Sequence, residues 1–445
     1  MFKKIFTKHD IYLSGLLIGL LIIGLFTLYS STKGTGVINE QYFTRQAIFA
    51  IIGIIFYFIV SFVNLKFLES KFSIILIYVL NIFLLIAVLL FTAKVKGASR
   101  WFLLPVPFLG TINIQPADIA KLVAVIVGAY ILSQWKHLII ALKIKSKILK
   151  YEFFPYVISV IPILALILIQ PALGTTIVIF LTLSIMLYFS SHHKFKALSY
   201  FLSFLIVLIF WIIFKDFSIW IRISISLLLL TLTSLIVFRK SSKIIMLVIF
   251  LVSTIFMFFL FQPGSINKLG EYQKDRINCW LNSSIDTNGI CYQQIQSRVA
   301  IGSGQLFGRG FSQGLQVQEA NLPEFQNDFI YAAYAEQYGF IGTLFLLSIF
   351  FLFICEIIRL STSQKSEFSR IIILGVAMIF ILQVFINIAM NNGILPTTGI
   401  SLPFMSYGGS FLWISLISVG VVQNLSHNHI LLDEKEKKYE RWDNE

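Results

Sequence analysis

Residues 289–342 read GICYQQIQSRVAIGSGQLFGRGFSQGLQVQEANLPEFQNDFIYAAYAEQYGFIG. The first half mixes Gln, Arg, Ser and Gly, and the polar run closes on one carboxylate, Asp328. From there the chain turns apolar for about 25 residues, long enough to cross a bilayer as a helix. A glycine-rich polar segment that ends in an acid against such a run is where chemistry would meet a membrane. The rest of the chain is read outward from it.

Around that stretch the chain is mostly grease. Of 445 residues, 57% are hydrophobic and only 13% charged, with a mean hydropathy of +0.85. A soluble domain carries about 25% charged residues. The pattern is that of an all-α, polytopic membrane protein forming one integral membrane domain over 1–445. Apolar segments fall at 11–31, 46–63, 73–92, 117–133, 154–170, 174–190, 198–214, 219–237, 243–261, 329–355, 371–390 and 405–425. That makes about twelve spans. The first is too long for a signal-peptide core and reads as a retained anchor. A net charge of +14 in such a chain sets topology rather than marking a nucleic-acid partner. With the N-terminus inside, Lys and Arg favour the inner segments by roughly two to one. Both termini then lie inside, 426–445 is a cytoplasmic tail, and 262–328 is a large outer loop.

Four polar stretches interrupt the spans, all on the outer side in this topology. They are KGASRW with QPADIAKL (96–101, 115–122), QPALGT (170–175), the opening stretch, and GILPTTGISLPFMSYGGS (393–410). Glycine and proline at this density mark non-helical backbone, tolerated at membrane depth only where it lines a cavity or is buried in protein.

In this order the motifs SRW…QPADIAKL, QPALGT, YQQIQSRVAIGSGQLFGRG, LPEFQNDF and LPTTGISLPFMSYGGS closely resemble the RodA/FtsW (SEDS) family of membrane glycosyltransferases. The loop is slightly closer to the RodA-type pattern. The resemblance covers nearly the whole chain. It implies a SEDS-type helical bundle and polymerisation of lipid II into peptidoglycan glycan strands outside the cytoplasmic membrane. The implied partner is a class B penicillin-binding protein, in elongation or division. The family's catalytic aspartate matches Asp328. Two positions depart from the family: Ala172 stands where the family has Asp, and Gln337 replaces the second acid after Glu336. Family members usually have ten spans, so about twelve here means ten core spans plus an extra hairpin. An even insertion leaves the outer loop on its side.

The residues themselves allow that chemistry. Joining sugars from a lipid pyrophosphate donor needs a base for the acceptor hydroxyl and positive charge for the leaving pyrophosphate. Asp328 is the candidate base, and its bland alternative is a helix-capping acid. Arg100, Lys121, Arg276, Arg298 and Arg309 are candidate phosphate contacts, or else loop charges meeting lipid headgroups. Lys121 falls inside a span, where a charge is costly, and Asp118 three residues earlier is its obvious pairing partner. Glu336, behind Ala332, Ala333 and Ala335, either contacts substrate or holds a neighbouring helix. Ser406, Tyr407 and Gly408 either line the substrate or form a packing turn. No acidic or histidine cluster has metal-ligand spacing, so any divalent cation would be shared with the substrate pyrophosphate. Cys279 and Cys291 are 12 residues apart on the oxidising side, with Cys355 left alone; the two can form a disulfide or stand as unrelated thiols. The competing functions are a lipid II flippase or another transporter, and a non-catalytic scaffold of the synthesis complex.

Overall fold

The computed structural model describes residues 10–32, 37–92, 100–106, 110–141, 153–170, 172–190, 276, 279–280, 291–318, 322 and 325–442. The three spans expected at 198–214, 219–237 and 243–261 lie outside the described residues, as does most of the outer loop before Cys291. The other nine expected spans are all helical. In chain order they are α1 (Ile11–Thr32), α2 (Val37–Phe62), α3 (Lys71–Phe91), α4 (Pro116–Ala141), α5 (Phe153–Ile169) and α6 (Leu173–Ser190). A shorter polar helix, α7 (Tyr292–Ser303), precedes α8 (Ile330–Thr362), α9 (Glu367–Asn391) and α10 (Gly409–Trp442). Among the described residues eight helices are long and apolar enough to cross a membrane, and α5 contributes a shorter apolar stretch. α10 runs on as helix through most of the segment expected to be a tail.

One element was not expected. Phe102–Val106 and Gly110–Ile114 form an antiparallel hairpin, β1 and β2, pairing Phe102 with Ile114 and Val106 with Gly110. It lies between α3 and α4, and the Ser410 hydroxyl donates to the Asn113 carbonyl at 2.8 Å, tying the hairpin to the start of α10.

α4 and α9 form the middle of the bundle. Most of each is buried, whereas α2 and α3 are largely exposed on the outside. α9 packs on α4, α6 and α8; α8 packs on α1; α10 packs along α2. In lipid the packing of helices is driven by close contact and interhelical hydrogen bonds rather than by water expulsion. Polar ties of that kind are frequent here. Asn424 on α10 donates to the Val60, Ser61 and Val63 carbonyls and so satisfies the frayed end of α2. Gln46 on α2 donates to the Ser406 carbonyl and accepts from the Gly408 amide.

The 393–410 stretch returns into the bundle as an irregular segment, as its glycines and prolines require. Its anchor is Phe404, buried but with φ of 65°. A non-glycine residue there costs about 1–2 kcal/mol. Its ring meets Phe353 of α8 at 5.4 Å and Phe380 of α9 at 5.3 Å. Two such contacts, about 0.5–1.5 kcal/mol each, offset the strain.

Candidate functional site

A cavity of about 310 Å³ opens where this segment, β2, α4, α6 and the start of α8 meet. Asp328 lines it. The cap position of α8 is Phe329, so Asp328 stands one residue ahead of the cap and is half-buried rather than folded over the helix end. Its backbone is held from outside its own helix. Asn387 and Asn391, one turn apart near the end of α9, both donate to the Asp328 carbonyl, at 2.9 and 3.1 Å. Asn387 also donates to the Ile400 carbonyl at 2.7 Å, which binds the returning segment to the same point. The Ser401 hydroxyl lies 3.5 Å from Asp328 Oδ1.

Across from the carboxylate are the cations. Arg276 lines the cavity and donates from Nη1 to the Thr397 carbonyl at 3.0 Å. Gly399, with φ of 73°, lies between the two charges. A Cβ there would stand 3.3 Å from Arg276 Nη1 and 3.6 Å from Asp328 Oδ2. Glycine is thus required twice at this position, by its backbone angle and by the room it leaves. Arg100 lines the same cavity, donating from Nε to the Gln170 carbonyl at 2.9 Å. Gln170 is wholly buried and donates to Leu85 of α3, so the QPALGT turn serves as the seat of Arg100.

Deeper, inside the bundle, Lys121 and Asp118 form an ion pair of 2.8 Å, both under a tenth exposed. Lys121 Nζ also stands 5.0 Å above the Phe411 ring. A charge this far into a span needs such partners. Gln383 of α9 lines the same depth, with no hydrogen-bond partner at Oε1. Tyr407 and Gly408 close the cavity beside Asn113, and the Tyr407 amide donates to the Gln326 carbonyl at 2.7 Å.

Not every residue singled out in the sequence comes to this cavity. Arg298 is exposed on α7 with its side chain against Gly393. Ser406 is buried, its hydroxyl accepting from the Leu402 amide, which makes it part of the turn rather than of the wall. Arg309 and Glu336 meet each other instead, at 3.9 Å. Glu336 is fully buried and accepts from the Gln316 amide at 3.0 Å. These two hold the glycine-rich loop onto α8. The loop lies backbone to backbone on that helix. The Arg309 amide donates to Glu336 and the Gly310 amide to Gln337, while Phe340 and Ile341 donate back to Gln305 and Leu306. The exchange is possible because α8 breaks at Gly339 (φ 65°), and Gly308 (φ 81°) fits against the break. Ala172 is buried and offers no acid.

Sequence reading missed Asn387, Asn391 and Gln383. They sit in a run that scores as plain membrane helix. Their signal is their spacing, since residues 383, 387 and 391 share one helical face. The Cys279–Cys291 disulfide is formed, with Cα atoms 5.1 Å apart. No group of three potential metal ligands occurs among the described residues.

The arrangement is thus a half-buried carboxylate, Asp328, sharing a cavity with Arg276, Arg100 and the Lys121–Asp118 ion pair. Known proteins carry the same chain pattern. A family model described as a cell cycle protein, FTSW_RODA_SPOVE, matches residues 10–223 and 191–430. A probable peptidoglycan glycosyltransferase FtsW of Trichlorobacter lovleyi is 28% identical over 426 residues, covering 94% of this chain and 93% of that protein. The peptidoglycan glycosyltransferase MrdB of Escherichia coli K12 is 31% identical over 356 residues, covering 79% and 77%. Among solved structures, a chain of a peptidoglycan synthase complex aligns with a TM-score of 0.63 at 20% identity, covering 95% of this chain and 98% of that one. The rod shape determining protein RodA of Thermus thermophilus aligns at 0.57 and 19%, covering 95% and 97%.

Proposed function

This chain belongs to the FtsW/RodA/SpoVE family of cell cycle proteins, and from that premise we propose that it is a peptidoglycan glycosyltransferase that polymerises lipid II. The observation that carries the reading is the cavity that Asp328 lines together with Arg276, Arg100 and Lys121. A glycan strand grows when an acceptor hydroxyl attacks the anomeric carbon of a donor held on a lipid pyrophosphate. The Asp328 carboxylate takes the hydroxyl proton as the new C–O bond forms. The bond from the anomeric carbon to the phosphate oxygen breaks on the opposite face, with inversion. The pyrophosphate leaves with the electron pair, and fixed cations stabilise it. Arg276, which meets the carboxylate across Gly399, suits the leaving group. Arg100 adds a second positive charge to the wall, the Lys121–Asp118 pair offers donors and acceptors deeper in, and Tyr407 and Gly408 bound the sugar side.

Asn387 and Asn391 fix the base by its backbone, leaving its carboxylate to face the cavity. This supports a catalytic aspartate over a capping one. In the proposed orientation the site lies on the outer face of the bacterial cytoplasmic membrane, both termini lie inside, and a class B penicillin-binding protein is the partner. A divalent cation would be held jointly with the pyrophosphate.

Asp328→Asn in purified protein given labelled lipid II tests the reading. Asn keeps the size and the helix-start preference of Asp. Loss of the base lowers polymerisation by about 10²-fold or more. An Asn variant that polymerises like the wild type overturns the assignment of the base, and a folded wild-type protein that makes no polymer favours the scaffold reading.

A further inference from the structure

The proposed mechanism needs Arg276 at a fixed place, yet Arg276 does not belong to the bundle. It comes from the outer loop, so something outside the helices has to hold it. Three ties do so. Its own Nη1 grips the Thr397 carbonyl at 3.0 Å. Four residues on, Trp280 Nε1 donates to the Ile394 carbonyl at 3.1 Å. Between them Cys279 is bonded to Cys291, and both cysteines are buried.

Cys291 is the cap residue of α7. One and a half turns along that helix, the Ser297 hydroxyl donates to the Asn391 carbonyl at 3.0 Å and approaches Asn391 Oδ1 at 3.2 Å. Asn391 in turn donates to the Asp328 carbonyl. The base and the cation are therefore ends of one chain of links: Asp328, Asn391, Ser297, Cys291, Cys279, Arg276. Hydrogen bonds, the run of α7 and the short stretch of chain from Cys279 to Arg276 make up all but one of these links. The exception is covalent, and it ties the segment that carries Arg276 to the start of α7.

We infer that Cys279 and Cys291 are positioning residues, whose disulfide holds Arg276 opposite Asp328 for the leaving pyrophosphate. This rests on the glycosyltransferase reading for its catalytic meaning, but the placement of a pyrophosphate-binding cation is measurable without turnover. An arginine that is merely near the site contributes through the loop's average position. One held within an ångström contributes fully, and a misplacement of about 1 Å at a reacting centre costs on the order of 10²-fold.

The test is a double-mutant comparison read twice, by polymerisation of labelled lipid II and by binding of geranylgeranyl pyrophosphate in detergent. The variants are Cys279→Ser/Cys291→Ser, Arg276→Ala, and all three changes together, each checked for a folded melting profile. Where the serine pair folds poorly, Cys279→Ala/Cys291→Val keeps the buried site apolar and serves for the same measurement. The expected result is a loss of about 10- to 10²-fold in both readouts for the cysteine pair. Adding that pair to Arg276→Ala should change nothing further, because its effect passes through the arginine. A folded cysteine-free protein that binds and polymerises like the wild type overturns the inference. So does an equal additional loss in the Arg276→Ala background, which a general loosening of the loop predicts. If the wild type binds the pyrophosphate in the expected pattern but makes no polymer, the activity reading fails and the positioning role stands.

Discussion

Glu336 offers the sharpest test of which motif residues act on the loop and which act on substrate. It is fully buried, and Oε1 accepts from the Gln316 amide at 3.0 Å and lies 3.9 Å from Arg309 Nε. A hydrogen bond to a charged group contributes about 1.5–3 kcal/mol. Arg309 is more than a third exposed, so its ion pair adds only about 0–1 kcal/mol. Glu336→Ala removes both and leaves the Gln316 amide without its acceptor, for a loss of about 2–4 kcal/mol. Glu336→Gln keeps an acceptor oxygen and loses only the charge, for about 1–2 kcal/mol. Thermal melting in detergent, followed by tryptophan fluorescence, should rank wild type above Gln above Ala. Steady-state kinetics on lipid II below the melting range should leave KM within about twofold, because the carboxylate never reaches the cavity. A Gln variant that melts like the wild type but has KM raised about tenfold would refute this and return Glu336 to the substrate.

Gly308→Ala should be more damaging than its size suggests. The left-handed backbone costs about 1–2 kcal/mol, and the added Cβ would overlap the Gln337 carbonyl, so the loop must lift from α8. Poor recovery of folded protein, with a melt well below the wild type, is the expected outcome, and a normal melt would contradict the packing described. The orientation is open to labelling. Past its break at Gly339, α8 continues as helix to Thr362, about 34 Å and enough to cross a bilayer. Single cysteines at Arg298 and at Ser363, in a protein with its native cysteines removed, should therefore react with an impermeant maleimide from opposite sides, the former from outside.

Much of this fold is legible in the chain because a bilayer allows so few backbones. A run such as 73–92 has only one way to satisfy its amides in lipid, and it is a helix. The hairpin at Phe102–Val106 and Gly110–Ile114 was not legible for the converse reason. It has Pro105 inside one strand and Pro107 just after, and prolines read as breaks unless the strand is an edge. Asp328 could be singled out because it ends a polar run at an apolar boundary. The partners that hold it could not, since Asn387 and Asn391 come from a different span, about 60 residues on, and their meaning appears only when α9 is laid beside α8. Arg309 and Glu336 were open in the sequence between a substrate contact and a packing role, and the fold brings them to each other. A glycine-rich loop with an arginine looks like a phosphate cradle by composition. Here its amides are consumed by the carbonyls of a broken helix.

The two asparagines of α9 set membrane insertion and catalysis against each other. An amide side chain is a poor guest in lipid, and Leu in place of Asn387 or Asn391 would make the segment a better substrate for the insertion machinery. The same exchange would take away the donors that hold the Asp328 carbonyl and, at Asn387, the Ile400 carbonyl. Selection for smooth biogenesis and selection for a working cavity therefore meet on one helical face. The helix is only as hydrophobic as its second duty permits.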